Sequence, residues 1–215
     1  MTSTTPRRSV HFQDALDRLR SGNQRFVHNV RSVEALASQS RRDALIQGQA
    51  PFAIVLSCSD SRVPSELVFD CGLGDLFVVR VAGNIVAPSI VGSVEFAAAT
   101  FGTELVVVMG HSRCGAISAT IDALVHGTKA SSENVRDIVD RISPSIAELV
   151  REGRPDAASL AAAATRANIR ASVNHLRHGS RVLEQRIAEG RLCVIGAEYA
   201  IETGRVDVFD VGQAY

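Results

Sequence analysis

The sequence predicts an α/β protein: a central, mostly parallel β-sheet with an antiparallel edge strand, flanked by helices. Three observations carry this. Short, almost wholly apolar runs (PFAIVLS, DLFVVRV and ELVVVMG) alternate with longer helical patterns, and strands covered by helices on both faces read as such runs. The segment RLCVIGAEYAIETGRVDVFDV reads as two strands around a turn at Thr203–Gly204, a hairpin at the sheet edge. A chain of 215 residues has room for one domain at about 150 residues each, or two small ones at most.

In chain order, residues 11–28 place Phe12, Leu16 and Leu19 at helical spacing, with a break expected at Gly22 before Phe26 and Val27 resume the apolar face. Residues 33–47 suggest a second helix. PFAIVLS is a buried strand, and DLFVVRV (75–81) and ELVVVMG (104–110) are two more. SIVGSVEFAAATFG, between the last two, reads as a helix, as does GAISATIDALVHG after the third strand. One long helical stretch is expected from about 133 to 189; its Ala-rich part, AAAATRANIRASVNHL, favours helix and close packing.

Composition narrows the class of function. Hydrophobic residues at 46% and charged residues at 21% suit a folded globular chain, not a disordered one. The 23 basic residues balance 23 acidic ones, which argues against a nucleic-acid partner, since such proteins carry a basic excess. No run reaches the ~18 apolar residues of a membrane span. The opening MTSTTPRRSVHFQDAL lacks the apolar segment of a secretory signal behind Arg7 and Arg8. Four cysteines are too sparse for a disulfide framework, so a reducing, cytoplasmic setting is expected.

Chemistry gathers beyond the carboxyl ends of parallel strands, and two such ends are conspicuous. The first strand runs into Cys58-Ser59-Asp60-Ser61-Arg62 and the third into Gly110-His111-Ser112-Arg113-Cys114-Gly115. If the two strands are neighbours, Cys58, His111 and Cys114 meet. Two thiolates and an imidazole suit Zn²⁺, and three protein ligands with one open position is the layout of a catalytic zinc site. A helix starting at Cys114 would favour its thiolate. Asp60 is either a fourth ligand or, held by a two-pronged pair with Arg62, an acceptor that orients a zinc-bound hydroxide. A packing role for the cysteines and an ordinary loop ion pair for Asp60 and Arg62 stay open on the residues alone. Cysteine nucleophile chemistry on an anionic substrate is disfavoured: the loop after Cys58 has no glycine, and Asp60 would repel phosphate. Cys71 and Cys193 have no metal-like spacing.

Taken together, SGNQRFV, QAPFAIVLSCSDSRVPSEL, GDLFVVRVAGNIV, GSVEFA, GHSRCGA and VIGAEYAIETGRV resemble a β-class carbonic anhydrase over nearly the whole chain. Cys-x-Asp-x-Arg followed some fifty residues later by His-x-x-Cys is specific as a pair, although neither half is specific alone. The resemblance implies reversible hydration of CO2 to bicarbonate and a proton by zinc-bound hydroxide. It implies one Zn²⁺ per chain on Cys58, His111 and Cys114, with Asp60 and Arg62 as the catalytic dyad and Asp60 as fourth ligand in a closed state. Gln49, Phe77, Ala82 and Gly115 match the CO2 pocket, Gln49 and Phe77 being expected from a partner subunit.

It further implies a single domain over 1–215, with a helical arm at about 10–48 packing on the partner of a homodimer or tetramer and a zinc-binding core at about 50–215. Departures from the family pattern are Ala82, where Val is usual, and Phe96, where Tyr is common. Val55 stands where a Trp would accompany Arg80 and Tyr199 in a regulatory bicarbonate site, so no site of that type is expected. His11, His28, His126, His175 and His178 are candidates for moving the proton. Hydrolysis of COS or CS2 on the same scaffold and a non-catalytic zinc-binding role are the alternatives.

Overall fold

A computed structural model describes residues 10–30, 37–153 and 156–210. Five strands form one sheet in the order β2-β1-β3-β4-β5: β1 (Ala53–Ser57), β2 (Leu76–Arg80), β3 (Leu105–His111), β4 (Cys193–Tyr199) and β5 (Val206–Asp210). The first four are parallel, and β5 returns antiparallel to β4 with a register shift at Gly196/Ala197. β1 and β3 are buried along their whole length, as central strands covered on both faces must be.

Helix α1 (Phe12–Val27) covers one face, burying Ala15, Leu16 and Leu19 in a cluster with Phe52, Val107, Met109 and Ile195. The helix runs unbroken through Gly22, contrary to the expected break. Glycine is there for closeness: a Cβ at that position would lie 1.8 Å from the Phe69 carbonyl oxygen. Of the second predicted helix, residues 33–36 lie outside the described residues; the rest forms a short α2 (Gln39–Ala44).

The other face carries α4 (Pro88–Phe101) and α7 (Ala157–His178), whose Val94, Ala97, Ala98, Ile169, Val173 and Leu176 pack on Ile54, Leu56, Val106 and Val108. Pro88 starts α4 where a missing N–H costs nothing, and Gly102 ends it in the left-handed conformation at φ 65°. A short α3 (Ser65–Val68) follows the β1 loop, and α5 (Gly115–His126) follows β3.

The long helical stretch expected over 133–189 is three helices: α6 (Glu133–Glu152), α7 and α8 (Arg181–Ala188). Local chemistry breaks it. Gly153 takes φ 75°, and Asp156 and Ser180 cap the next two helices by accepting from the amides of Ser159 and Leu183. Among the described residues no helix is long and apolar enough to cross a membrane.

Candidate metal centre and active site

The chain leaves β1 to pair β2 on one side and leaves β3 to pair β4 on the other. Between β1 and β3 the connections part, and open α/β sheets form a crevice at such a point beyond their carboxyl ends. Cys58 is the first residue past β1, His111 the last of β3, and Cys114 the N-cap of α5. Their candidate ligand atoms all lie within 4.8 Å of one another, and all three residues are buried. Around them pack Ile85, Ile117, Ile142 and Ile146, an apolar shell that keeps bulk water out.

The chemistry of this donor set fits a soft divalent cation. His111 directs Nδ1 at its neighbour, the Ser112 carbonyl, at 2.8 Å. Its Nε2 is buried without a hydrogen-bond partner, as expected of a nitrogen whose partner is a metal. Cys58 is brought down to about 4, first by the Cys114 thiol hydrogen-bonded to it, then by the His111 ring and the backbone amides of Asp60 and Gly83. Cys114 is pushed up because the Cys58 thiolate takes its proton's hydrogen bond and because it is buried.

The Cys58 loop is held from two sides. Arg80 donates to the Cys58 carbonyl at 3.0 Å and to the Asp60 carbonyl at 2.6 Å. From the turn after β2, the Gly83 amide donates to Cys58 Sγ at 3.4 Å. That turn requires Gly83 at φ 69°, and α7 fixes it through Asn168, which donates to the Gly83 carbonyl, and Ser172, which donates to that of Asn84.

Arg62 binds Asp60 with both prongs of its fork: Nε to Oδ1 at 2.9 Å and Nη2 to Oδ2 at 2.7 Å. The Arg62 amide adds a third bond to Oδ1 at 2.9 Å. These bonds hold the Asp60 carboxyl well below the usual carboxylate range. Arg62 also donates to the Arg113 carbonyl at 3.3 Å, so the loop after β1 is tied to the loop between His111 and Cys114.

The model of the family described as carbonic anhydrase matches residues 53–206. Carbonic anhydrase 2 of Mycobacterium tuberculosis is 38% identical over 192 residues, covering 89% of this chain and 90% of that one. The chain belongs to the β-class carbonic anhydrases. Carbonic anhydrase activity is therefore its reaction, and the Cys58, His111 and Cys114 cluster fits the zinc site of this class. The solved β-carbonic anhydrase CcaA matches with a TM-score of 0.72 at 27% identity, covering 92% of each chain. A β-carbonic anhydrase of Sordaria macrospora has the same fold, with a TM-score of 0.72 at 23% identity over 92% of this chain and 96% of that one.

The four residues assigned to the substrate pocket do not converge within one carbonic anhydrase chain. Gly115 opens α5 directly after Cys114, and Ala82 begins the turn that presents Gly83 to Cys58. Phe77 lies on β2 opposite Ile54, back from the carboxyl end of the strand, with its ring tilted at 44° to those of Phe96 and Phe101, 6.3 and 6.1 Å between centres. Gln49 is exposed just before β1. A cavity of about 400 Å³ lies elsewhere, between α1 and the sheet, and none of the three cluster residues lines it.

Sequence reasoning passed over Ser112, Arg113, Asn168, Ser172 and Glu202, which brace the centre. The signal was weak: common polar residue types, reaching their partners across as many as 90 positions.

Proposed function

We propose that Cys58, His111 and Cys114 hold one zinc ion and that Asp60, oriented by Arg62, is the group that handles the attacking water during reversible CO2 hydration. The two-pronged Arg62–Asp60 pair beside a buried Cys-His-Cys cluster carries this reading. A purely structural metal site has no use for an aligned carboxylate. When bound, zinc supplies a Lewis acid that makes water acidic enough to lose its proton near neutral pH.

The chain's own residues do the rest. Asp60, ionised and turned by Arg62, accepts a hydrogen bond from the nucleophile and leaves its lone pair facing the substrate. A carboxylate held in this fork would not be free to bind a metal held by Cys58, His111 and Cys114, and release of Asp60 from Arg62 would let it do so. Ala82, Gly115 and the isoleucine shell provide the small apolar wall that an uncharged three-atom substrate needs. The proton leaves to solvent and buffer; His11, His28, His126, His175 and His178 are all exposed, and each could carry it.

The pocket is completed by a second copy of this chain, which contributes Gln49 and Phe77; α1 packs on its own sheet, so the helical arm at about 10–48 meets that copy through its exposed face, while residues 50–215 form the core. Support comes from the edge position of β2 among the described residues, from the aromatic cluster beside it, where Phe96 is 54% exposed, and from the exposure of Gln49. The Sordaria macrospora relative is described as tetrameric. Four free cysteines are in keeping with a cytoplasmic enzyme. Metal analysis tests the ligand set: the wild-type chain should carry one zinc and Cys58→Ser far less, while full occupancy in Cys58→Ser would refute it. Sedimentation tests the assembly: a wild-type chain that stays monomeric at micromolar concentration, yet is fully active, would refute the shared pocket.

A further inference from the structure

Glu202 sits in the β4–β5 turn, away from the cluster, yet its carboxylate grips the two residues between His111 and Cys114. Its Oε2 accepts from Ser112 Oγ at 2.8 Å and its Oε1 from Arg113 Nε at 2.6 Å. The Ser112 hydroxyl in turn accepts from the Ile201 amide at 3.0 Å, and the Ser112 amide donates to the Tyr199 carbonyl at 3.0 Å. Arg113 has φ 55° without being glycine, a conformation that persists only where its surroundings enforce it.

The same peptide faces the catalytic pair, because the Arg113 carbonyl accepts from Arg62. Behind Glu202 the turn is anchored by buried Asn23 of α1, which donates to the Gly204 carbonyl at 2.8 Å and accepts from the Val206 amide at 3.0 Å. A continuous path therefore runs from α1 through the β4–β5 turn and Glu202 to the metal loop, and from the metal loop to Arg62 and Asp60.

We infer that Glu202 is a positioning residue for the metal centre: by clamping Ser112 and Arg113 it fixes the spacing of His111 and Cys114 and the place of the carbonyl that receives Arg62. The carboxylate is suited to this, being brought down to about 2, first by the Ser112 hydroxyl, then by its own backbone amide and by Arg113, so it remains a double acceptor throughout the working pH range. The inference rests on the zinc reading of Cys58, His111 and Cys114, and its test reads zinc directly.

The experiment measures zinc release from the holoenzyme to a metallochromic chelator at 25 °C, together with kcat and KM as functions of pH. Glu202→Ala should release zinc roughly 10-fold faster, the usual order for partners that orient metal ligands, and lower kcat more than it changes KM. Glu202→Gln keeps an acceptor for Arg113 but loses the charge, so it should fall between Glu202→Ala and wild type. Leu183→Ala, a buried change in α8 remote from the loop, should lower the Tm without changing zinc release, which separates positioning from general loosening. Release at the wild-type rate in both Glu202 variants overturns the inference while leaving the zinc reading intact. If Glu202→Ala does not fold, the Glu202→Gln rate alone decides: faster than wild type supports the inference, equal to it overturns it. A wild-type chain that binds no zinc overturns both.

Discussion

Arg62 meets Asp60 in a two-pronged pair, Nε to Oδ1 at 2.9 Å and Nη2 to Oδ2 at 2.7 Å, at the mouth of a buried Cys-His-Cys cluster. The geometry uses a guanidinium's planar fork, which a lysine cannot reproduce.

Arg62→Gln removes both prongs and frees the Asp60 carboxylate. CO2 hydration should drop by about 100-fold or more, within the range for losing a positioned proton-handling group. Steady-state stopped-flow rates at pH 8.5 check this, and a fall of less than threefold would count against the pair's role.

Asp60 should not shape the pH profile above pH 5. Its folded pKa is lowered, chiefly by Arg62, so the stabilisation from the pair is complete above the unfolded value of about 3.9. It is lost only as pH falls through the lower folded value. The stabilities of wild type and Asp60→Asn should therefore differ by a constant amount from pH 8 to 5 and converge only below about pH 4, as wild type loses the pair, followed by thermal melts.

Zinc uptake by the metal-free chain should release protons. Cys58 is already a thiolate near neutrality, whereas Cys114 is raised by that thiolate and by burial. His111 is also raised: burial opposes its charge, but the neighbouring Cys58 thiolate outweighs it. Binding at pH 7 should thus displace about one to two protons, since only deprotonated ligands coordinate. Calorimetry in buffers of different ionisation enthalpy measures the number. No release would contradict coordination by Cys114 and His111.

Gly22→Ala should destabilise the fold by at least roughly 1–3 kcal/mol, the range for forcing volume into a packed site, because the new Cβ would meet the Phe69 carbonyl 1.8 Å away. Chemical denaturation gives the value. A neutral result would mean that α1 can move away from the loop after α3.

Asn23→Ala should also be costly. The side chain serves the Val68 carbonyl at 3.1 Å, the Gly204 carbonyl and the Val206 amide, and leaving such buried groups unpaired costs about 1–3 kcal/mol each at most sites. The Tm and the zinc-release rate should change together in this variant, because the turn it anchors carries Glu202.

What could be read in the sequence followed physical rules that act locally. β1 and β3 are central strands, so their apolar runs are uninterrupted, and Cys58, His111 and Cys114 are rare, chemically marked residues at the ends of those runs. Gly22 misled because glycine in a helix pattern signals a break as readily as a close approach, and only the Phe69 carbonyl decides between them. The stretch over 133–189 read as one helix because the caps at Asp156 and Ser180 are ordinary polar residues within a helical pattern. Glu202 was illegible for a different reason. An exposed acid in a hairpin turn is unremarkable until the sheet order places β4 beside β3 and brings the turn up to Ser112 and Arg113.

CO2 hydration by the zinc-loaded chain tests the central claim most directly. With one zinc per chain at pH 8.5, stopped-flow assays should show wild-type hydration well above the buffer rate, reduced about 100-fold or more in Asp60→Asn and lost with the metal in Cys58→Ser. A chain that holds one zinc yet hydrates no CO2 at that pH, or an Asp60→Asn enzyme as fast as wild type, would contradict the account.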